Sequence, residues 1–256
     1  MSEAITQGGI KTEIKDGIGT IIFFHPKSNS LPSKVLKEFA SAVYAMGDHP
    51  EVKVIIIRSE GRGAFCSGAS FDELLSLTDF APAKEFFMGF AGVINAIRKV
   101  DKFVIGRVQG KAVGGGVGLA CAVDYCVATE EASVKLSELA VGIGPFVVGP
   151  AVERKIGTSA FTSLAINAAE WRDAEWAKNH GMFMDVCLDE IELDITIDKL
   201  AETLAKSSPE AMKELKRVSW QGTENWDEFL EQRAEISGRL ILSDFSKNFI
   251  NSFKAK

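Results

Sequence analysis

The sequence predicts an α/β protein with a helical C-terminal region, and three observations predict it. The runs VKVIIIR at 52–58 and KFVIGRV at 102–108 are apolar without alternation, which marks strands buried on both faces. Each is followed by a glycine-rich turn and then by helical periodicity, so strand, loop and helix recur as in a parallel-sheet core. Beyond Pro150 the strand signals fade and amphipathic helices dominate.

Taken in order, residues 11–15 and 20–24 form a hairpin about Asp16-Gly17. Residues 33–46 repeat apolar side chains at Val35, Leu36, Phe39, Ala40, Val43 and Met46, a helix whose expected N-cap is Ser33. The strand at 52–58 leads into the loop GRGAFCSGASFDEL and then a long helix over 82–99. A second buried strand at 103–108 leads into QGKAVGGGVGLACAVDY, which opens a small-residue helix, and residues 125–128 and 133–136 are further strands. Helices are expected at 189–206, 209–220 and 225–242. Phe245, Phe249 and Phe253 lie four apart and give a terminal helix one aromatic stripe, to pack on its own chain or on another subunit. Two regions follow: 1–190 as the core that carries the site, and 191–256 as a helical region for capping and oligomerisation.

Composition narrows the function classes. The 256 residues are 46% hydrophobic and 25% charged, ordinary values for a folded domain with ample core. A net charge of −6 offers no basic field for nucleic acid or an anionic membrane. No apolar run reaches the roughly 18 residues of a membrane span, and the start of the chain has no apolar leader segment, so a cytoplasmic location is expected. Cys66, Cys121, Cys126 and Cys187 lack C-x-x-C spacing and read as reduced core thiols. His25, His49 and His180 are scattered, which disfavours a metal site. Ser67 lacks the glycine frame of a nucleophile elbow. The four tryptophans, 171, 176, 220 and 226, read as packing residues of the helical region.

The two glycine-rich turns, 61–69 and 110–118, are the candidate chemistry. Glycine lets backbone approach a ligand closely, so paired loops can aim N–H groups at one point, and two donors converging on a carbonyl oxygen form an oxyanion hole. A dinucleotide reading of the second loop is weakened by Leu119, which occupies the last glycine position of G-x-G-x-x-G.

Together, GAFCSGAS and QGKAVGGGVGLACAVDYCVATEEASVKLSELAVGIGP resemble the enoyl-CoA hydratase/isomerase (crotonase) family in order and spacing, and the resemblance runs from HPKSNSLP to SDFSKNFINSF. It implies a spiral β-β-α superhelix with a helical C-terminal region, an acyl-CoA thioester substrate, no metal or redox cofactor, and a homotrimer or dimer of trimers. Carried over by position, the oxyanion donors are the N–H groups of Ala69 and Gly115, and Glu138 is the acid/base. Ala64, Phe65, Gly68 and Phe71, with Gly114, Gly118 and Phe146, are expected to bind substrate. A hydratase carries a second glutamate where this chain has Gly118, so the resemblance implies double-bond isomerisation with Glu138 alone. The alternatives are a hydratase that draws a second carboxylate from Glu73 or Glu85, and a family member that binds acyl-CoA with little catalysis. Phe146 stands where the family has glycine and Asp72 where several relatives have lysine, which leaves Lys27, Arg62 and Lys247 as candidates for CoA phosphates.

Overall fold

The computed structural model describes residues 3–254; the outermost residues of both expected regions lie outside this span. After a single-turn helix α1 (Glu3–Thr6), strands β1 (Gly9–Lys15) and β2 (Ile18–Phe24) pair antiparallel with Lys15 opposite Ile18. Asp16 and Gly17 both take positive φ, 52° and 83°, as a two-residue turn matched to strand twist requires. The expected hairpin is therefore present, two residues longer on each strand.

Helix α2 (Ser33–Asp48) buries Val35, Leu36, Phe39, Val43 and Met46 on one face. Ser33 is not its N-cap. Pro32 holds that position, and the Ser33 N–H donates instead to Glu73 Oε2 at 2.8 Å. Strand β3 (Val54–Ser59) is buried on both faces: Ile55 and Ile57 enter the main core, while Val54 and Ile56 pack in a second cluster. Next come α3 (Phe71–Ser76), α4 (Phe80–Lys99), β4 (Val104–Val108), the two-residue β5 (Ala112–Val113) and α5 (Gly115–Ala122).

Strands β6 (Tyr125–Thr129) and β7 (Ser133–Lys135), the short α6 (Glu138–Val141) and α7 (Gly149–Ile166) follow. Helix α7 is broken at Gly157, whose φ of 78° and ψ of 159° are not helical. Like β5, two further short strands were not expected: β8 (Arg172–Asp173), before α8 (Ala174–Asn179), and β9 (Asp185–Cys187). The chain ends in α9 (Glu190–Ala205), α10 (Pro209–Ser219), α11 (Trp226–Leu240) and α12 (Asp244–Lys254).

The six-stranded sheet runs β1-β2-β3-β4-β6-β9, parallel except for its β1 edge, and β5-β7-β8 form a small second sheet. Helices α2 and α4 lie in the main core, and α11 packs along α4. Helix α9 covers the opposite face of the sheet with Leu193, Ile197 and Ala201. It is also held by charge: Arg107 of β4, 2% exposed, donates to Asp194 at 2.5 Å and Glu190 at 3.1 Å. Among the described residues no helix is long and apolar enough to cross a membrane. All four cysteines are buried and unpaired, and burial pushes the Cys66 and Cys126 thiols up to about 12, so they are inert core residues.

Candidate active site

The two glycine-rich loops meet. Cys66 bridges Ala112 in parallel fashion, with Cys66 N–H donating to Lys111 and Val113 N–H to Cys66. One step on, Leu31 bridges Ala69: Leu31 N–H donates to the Gly68 carbonyl and Ser70 N–H to the Leu31 carbonyl. A parallel partner bonds the residues flanking its opposite number, so the Ala69 N–H points away from Leu31. The Gly115 N–H is a first-turn donor of α5 with no carbonyl of its own helix to meet. Neither N–H has an acceptor among the described residues, and the N-terminal end of α5 adds its positive dipole.

Two glycines make this approach possible. Gly68 has φ 85°, and a Cβ on it would stand 2.8 Å from the Val113 carbonyl oxygen and 3.3 Å from Gly115 N. Gly114 has φ 52° with ψ −115°, a conformation open to glycine, and a Cβ there would stand 3.0 Å from Glu138 Oε1. The Gly115 N–H and the Glu138 carboxylate are therefore neighbours across Gly114. The Gly114 N–H, donated to the Lys135 carbonyl at 2.9 Å, ties the loop to β7, the strand that leads to Glu138.

Glu138 opens α6. The residue as a whole is half-buried, but its Oε2 is sealed from solvent and has no hydrogen-bond partner. Burial pushes the carboxyl up to about 7, against a smaller opposing pull from the residue's own backbone N–H. A carboxylate with one oxygen unpaired and poised near neutrality in a cleft is suited to taking and returning a proton.

A cavity of about 50 Å³ is lined by Gly68, Ala69, Phe71, Gly114, Gly115, Glu138 and Phe146, so seven of the expected residues come together. Three do not line it. Phe65 is 1% exposed and sets its ring edge-on to Phe23 in the core. Ala64 faces a separate cavity with Arg62 and Gln109. The Gly118 α-carbon lies under Val148: a Cβ on Gly118 would stand 2.5 Å from both Cβ and Cγ1 of Val148. Among the described residues Glu138 is the single carboxylate lining this cavity; Glu73 accepts the Ser33 N–H, and Glu85 is solvent-exposed on α4.

A larger groove of about 550 Å³ adjoins the cavity and shares Ser67, Ala69, Phe71, Ser137 and Val141 with it. Lys27 and Lys135 line the groove, with Lys27 paired to Asp72 at 2.5 Å. Trp171 also lines it. At 41% exposure this ring is no packing residue of the helical region, and the Lys111 and Lys135 ammonium groups lie over it at 5.2 and 5.4 Å from the ring centre. Lys247 is unavailable to a phosphate because its Nζ donates to the Leu74 and Leu77 carbonyls at 2.8 and 2.6 Å, locking α12 onto the end of α3. Phe249 and Phe253 of the aromatic stripe line the groove of their own chain, with Phe253 edge-on to Phe71 at 5.4 Å.

Residues 13–255 match the family model described as enoyl-CoA hydratase/isomerase. A carnitinyl-CoA dehydratase of Escherichia coli (strain SMS-3-5) is 32% identical over 225 residues, 88% of this chain and 82% of that protein. An enoyl-CoA hydratase structure from Bacillus halodurans superposes with a TM-score of 0.87 at 22% identity, covering 95% of this chain and 99% of that one. An enoyl-CoA hydratase/isomerase structure from Xanthobacter autotrophicus Py2 gives 0.86 at 24% identity, covering 96% and 93%. These two likenesses establish the fold.

Proposed function

The chain belongs to the enoyl-CoA hydratase/isomerase family, and from that premise we propose that it moves the double bond of a 3-enoyl-CoA into conjugation with the thioester. The observation that carries this reading is the single carboxylate, Glu138, beside two unoccupied N–H donors. The thioester carbonyl accepts from the N–H groups of Ala69 and Gly115. Glu138 removes a proton from C2, the charge spreads onto the carbonyl oxygen as an enolate, and the donors stabilise it. The protonated Glu138 then returns the proton at C4, so the carboxylate is regenerated and no atoms are gained or lost. One residue can serve both carbons because its carboxyl lies near neutrality and holds either state.

Coenzyme A enters as part of the substrate. The larger groove suits it, with Lys27, Lys135 and the Trp171 face on its walls. A trimer or dimer of trimers in the cytoplasm is the expected assembly, checked by sedimentation of the purified protein and by fractionation.

A water-handling reading draws on the relative named as a carnitinyl-CoA dehydratase. Against it stands the contact at Gly118: Val148 fills the space a second carboxylate would need. Gly118→Glu alone is therefore expected to destabilise the fold by about 1–3 kcal/mol through overpacking and to form no 3-hydroxyacyl-CoA. Paired with Val148→Gly, which removes both contacting atoms, it is expected to gain hydration. Thermal melts and product chromatography check both; hydration by the single variant contradicts the steric argument. The proposed activity itself is tested by supplying a 3-enoyl-CoA and following the 2-enoyl product. Absence of conversion under conditions where the ester binds would overturn it.

A further inference from the structure

The two spaces that meet at Ala69 differ about tenfold, 550 against 50 Å³. A thioester held by the Ala69 and Gly115 N–H groups extends two arms, the carrier and the acyl chain. The bulky carrier leaves through the larger groove, so the acyl chain takes the smaller cavity. At about 10–15 Å³ for each water-sized group, that cavity has room for roughly three to five of them.

Its walls are apolar. Leu74 of α3, Phe87 and Phe90 of α4, and Ile143, Val147 and Val148 ahead of α7 surround it, and the polar side chains that reach it are three serines and Glu138. Among the described residues no lysine, arginine or histidine lines it, so a distal carboxylate on the acyl chain would be buried without a counter-ion. A distal ammonium would find only Glu138, the group the reaction needs free. Phe87 is held in place because Phe86, buried behind it, sets its ring edge-on at 5.3 Å.

We infer that the acyl group is short and uncharged, about four to six carbons counting the carbonyl, and that Phe87 sets the length. The inference rests on the thioester placement proposed above and deepens it. Titration calorimetry of the intact protein with saturated acyl-CoA esters of even length from butyryl to dodecanoyl, and with succinyl-CoA, tests it, alongside turnover of 3-enoyl-CoA esters over the same lengths. Butyryl- and hexanoyl-CoA are expected to bind tightest, with decanoyl-CoA about tenfold weaker because the chain overpacks the cavity, and succinyl-CoA weaker than butyryl-CoA by at least about tenfold. Decanoyl- or succinyl-CoA binding as tightly as butyryl-CoA overturns the inference. Phe87→Ala is expected to move the optimum to longer chains, with Phe87→Leu as the milder variant if alanine loses the fold. An unchanged optimum in a folded variant removes Phe87 from this role. Failure of the parent reading looks different: no 3-enoyl-CoA of any length is isomerised, whereas the binding series still reports the length and charge the cavity accepts.

Discussion

Glu138→Gln lowers turnover of a 3-enoyl-CoA by about 10⁴-fold, the upper end for general acid–base catalysis, because one carboxylate both takes and returns the proton. Binding of a saturated acyl-CoA changes little, since the amide keeps the shape of the side chain and the oxyanion donors are untouched. Steady-state rates and calorimetry on the same preparation check the two halves of this prediction. Wild-type activity rises as pH climbs through about 7, where the buried carboxyl ionises and becomes a base. Stability moves the other way. The folded protein holds this proton more tightly than the unfolded chain does, so the contribution is fully present below the ordinary glutamate range. It is lost as pH rises through about 7. Above that, the buried anion costs up to about 3 kcal/mol. Glu138→Gln is thus more stable than wild type at pH 8 and little different at pH 4, which urea melts at the two values will show. A variant with near-normal turnover removes Glu138 from the mechanism.

Gly115→Ala removes activity by another route. The added Cβ would stand 2.2 Å from Cε1 and 2.7 Å from Cζ of Phe90, a ring packed in the core, so the first turn of α5 is expected to shift. That shift moves the Gly115 N–H off the carbonyl oxygen, and losing one such donor lowers kcat about 10²- to 10³-fold. The strain itself costs about 1–3 kcal/mol. Adding Phe90→Leu relieves the contact and recovers part of the melting temperature and part of the rate. A kcat within about threefold of wild type would mean that the Gly115 N–H is not an oxyanion donor. In the proposed mechanism Ala69 also acts through its backbone, so its methyl side chain matters chiefly for the conformation it permits.

Much of this architecture was legible in the residues. Asp16-Gly17 marked the hairpin because few other pairs accept two positive φ values, and VKVIIIR marked a strand buried on both faces. The helices over 190–254 followed from periodicity alone. The roles proposed for Ala69, Gly115 and Glu138 came from the family resemblance that the two glycine-rich loops carry, not from their spacing alone. Contacts between distant segments were not legible. Val148 over Gly118 and Lys247 on the end of α3 depend on the path of the chain, which local periodicity does not carry. Ser33 had the residue type of an N-cap, but Glu73, forty residues away, satisfies its N–H. Strands β8 and β9 are two and three residues long, too short to show a period. Trp171 was missed for the same reason: beside so short a strand, nothing marks a tryptophan as the wall of a groove.

The central claim is that one buried carboxylate moves a proton and no second group delivers water. Incubation with a four-carbon 3-enoyl-CoA, and separately with the 2-enoyl-CoA, in deuterated water tests it most directly, with products resolved by mass and by proton resonance. The predicted result is interconversion of the two esters, with deuterium appearing at C2 and C4 and no 3-hydroxyacyl-CoA. Rapid formation of 3-hydroxyacyl-CoA from the 2-enoyl ester would contradict it.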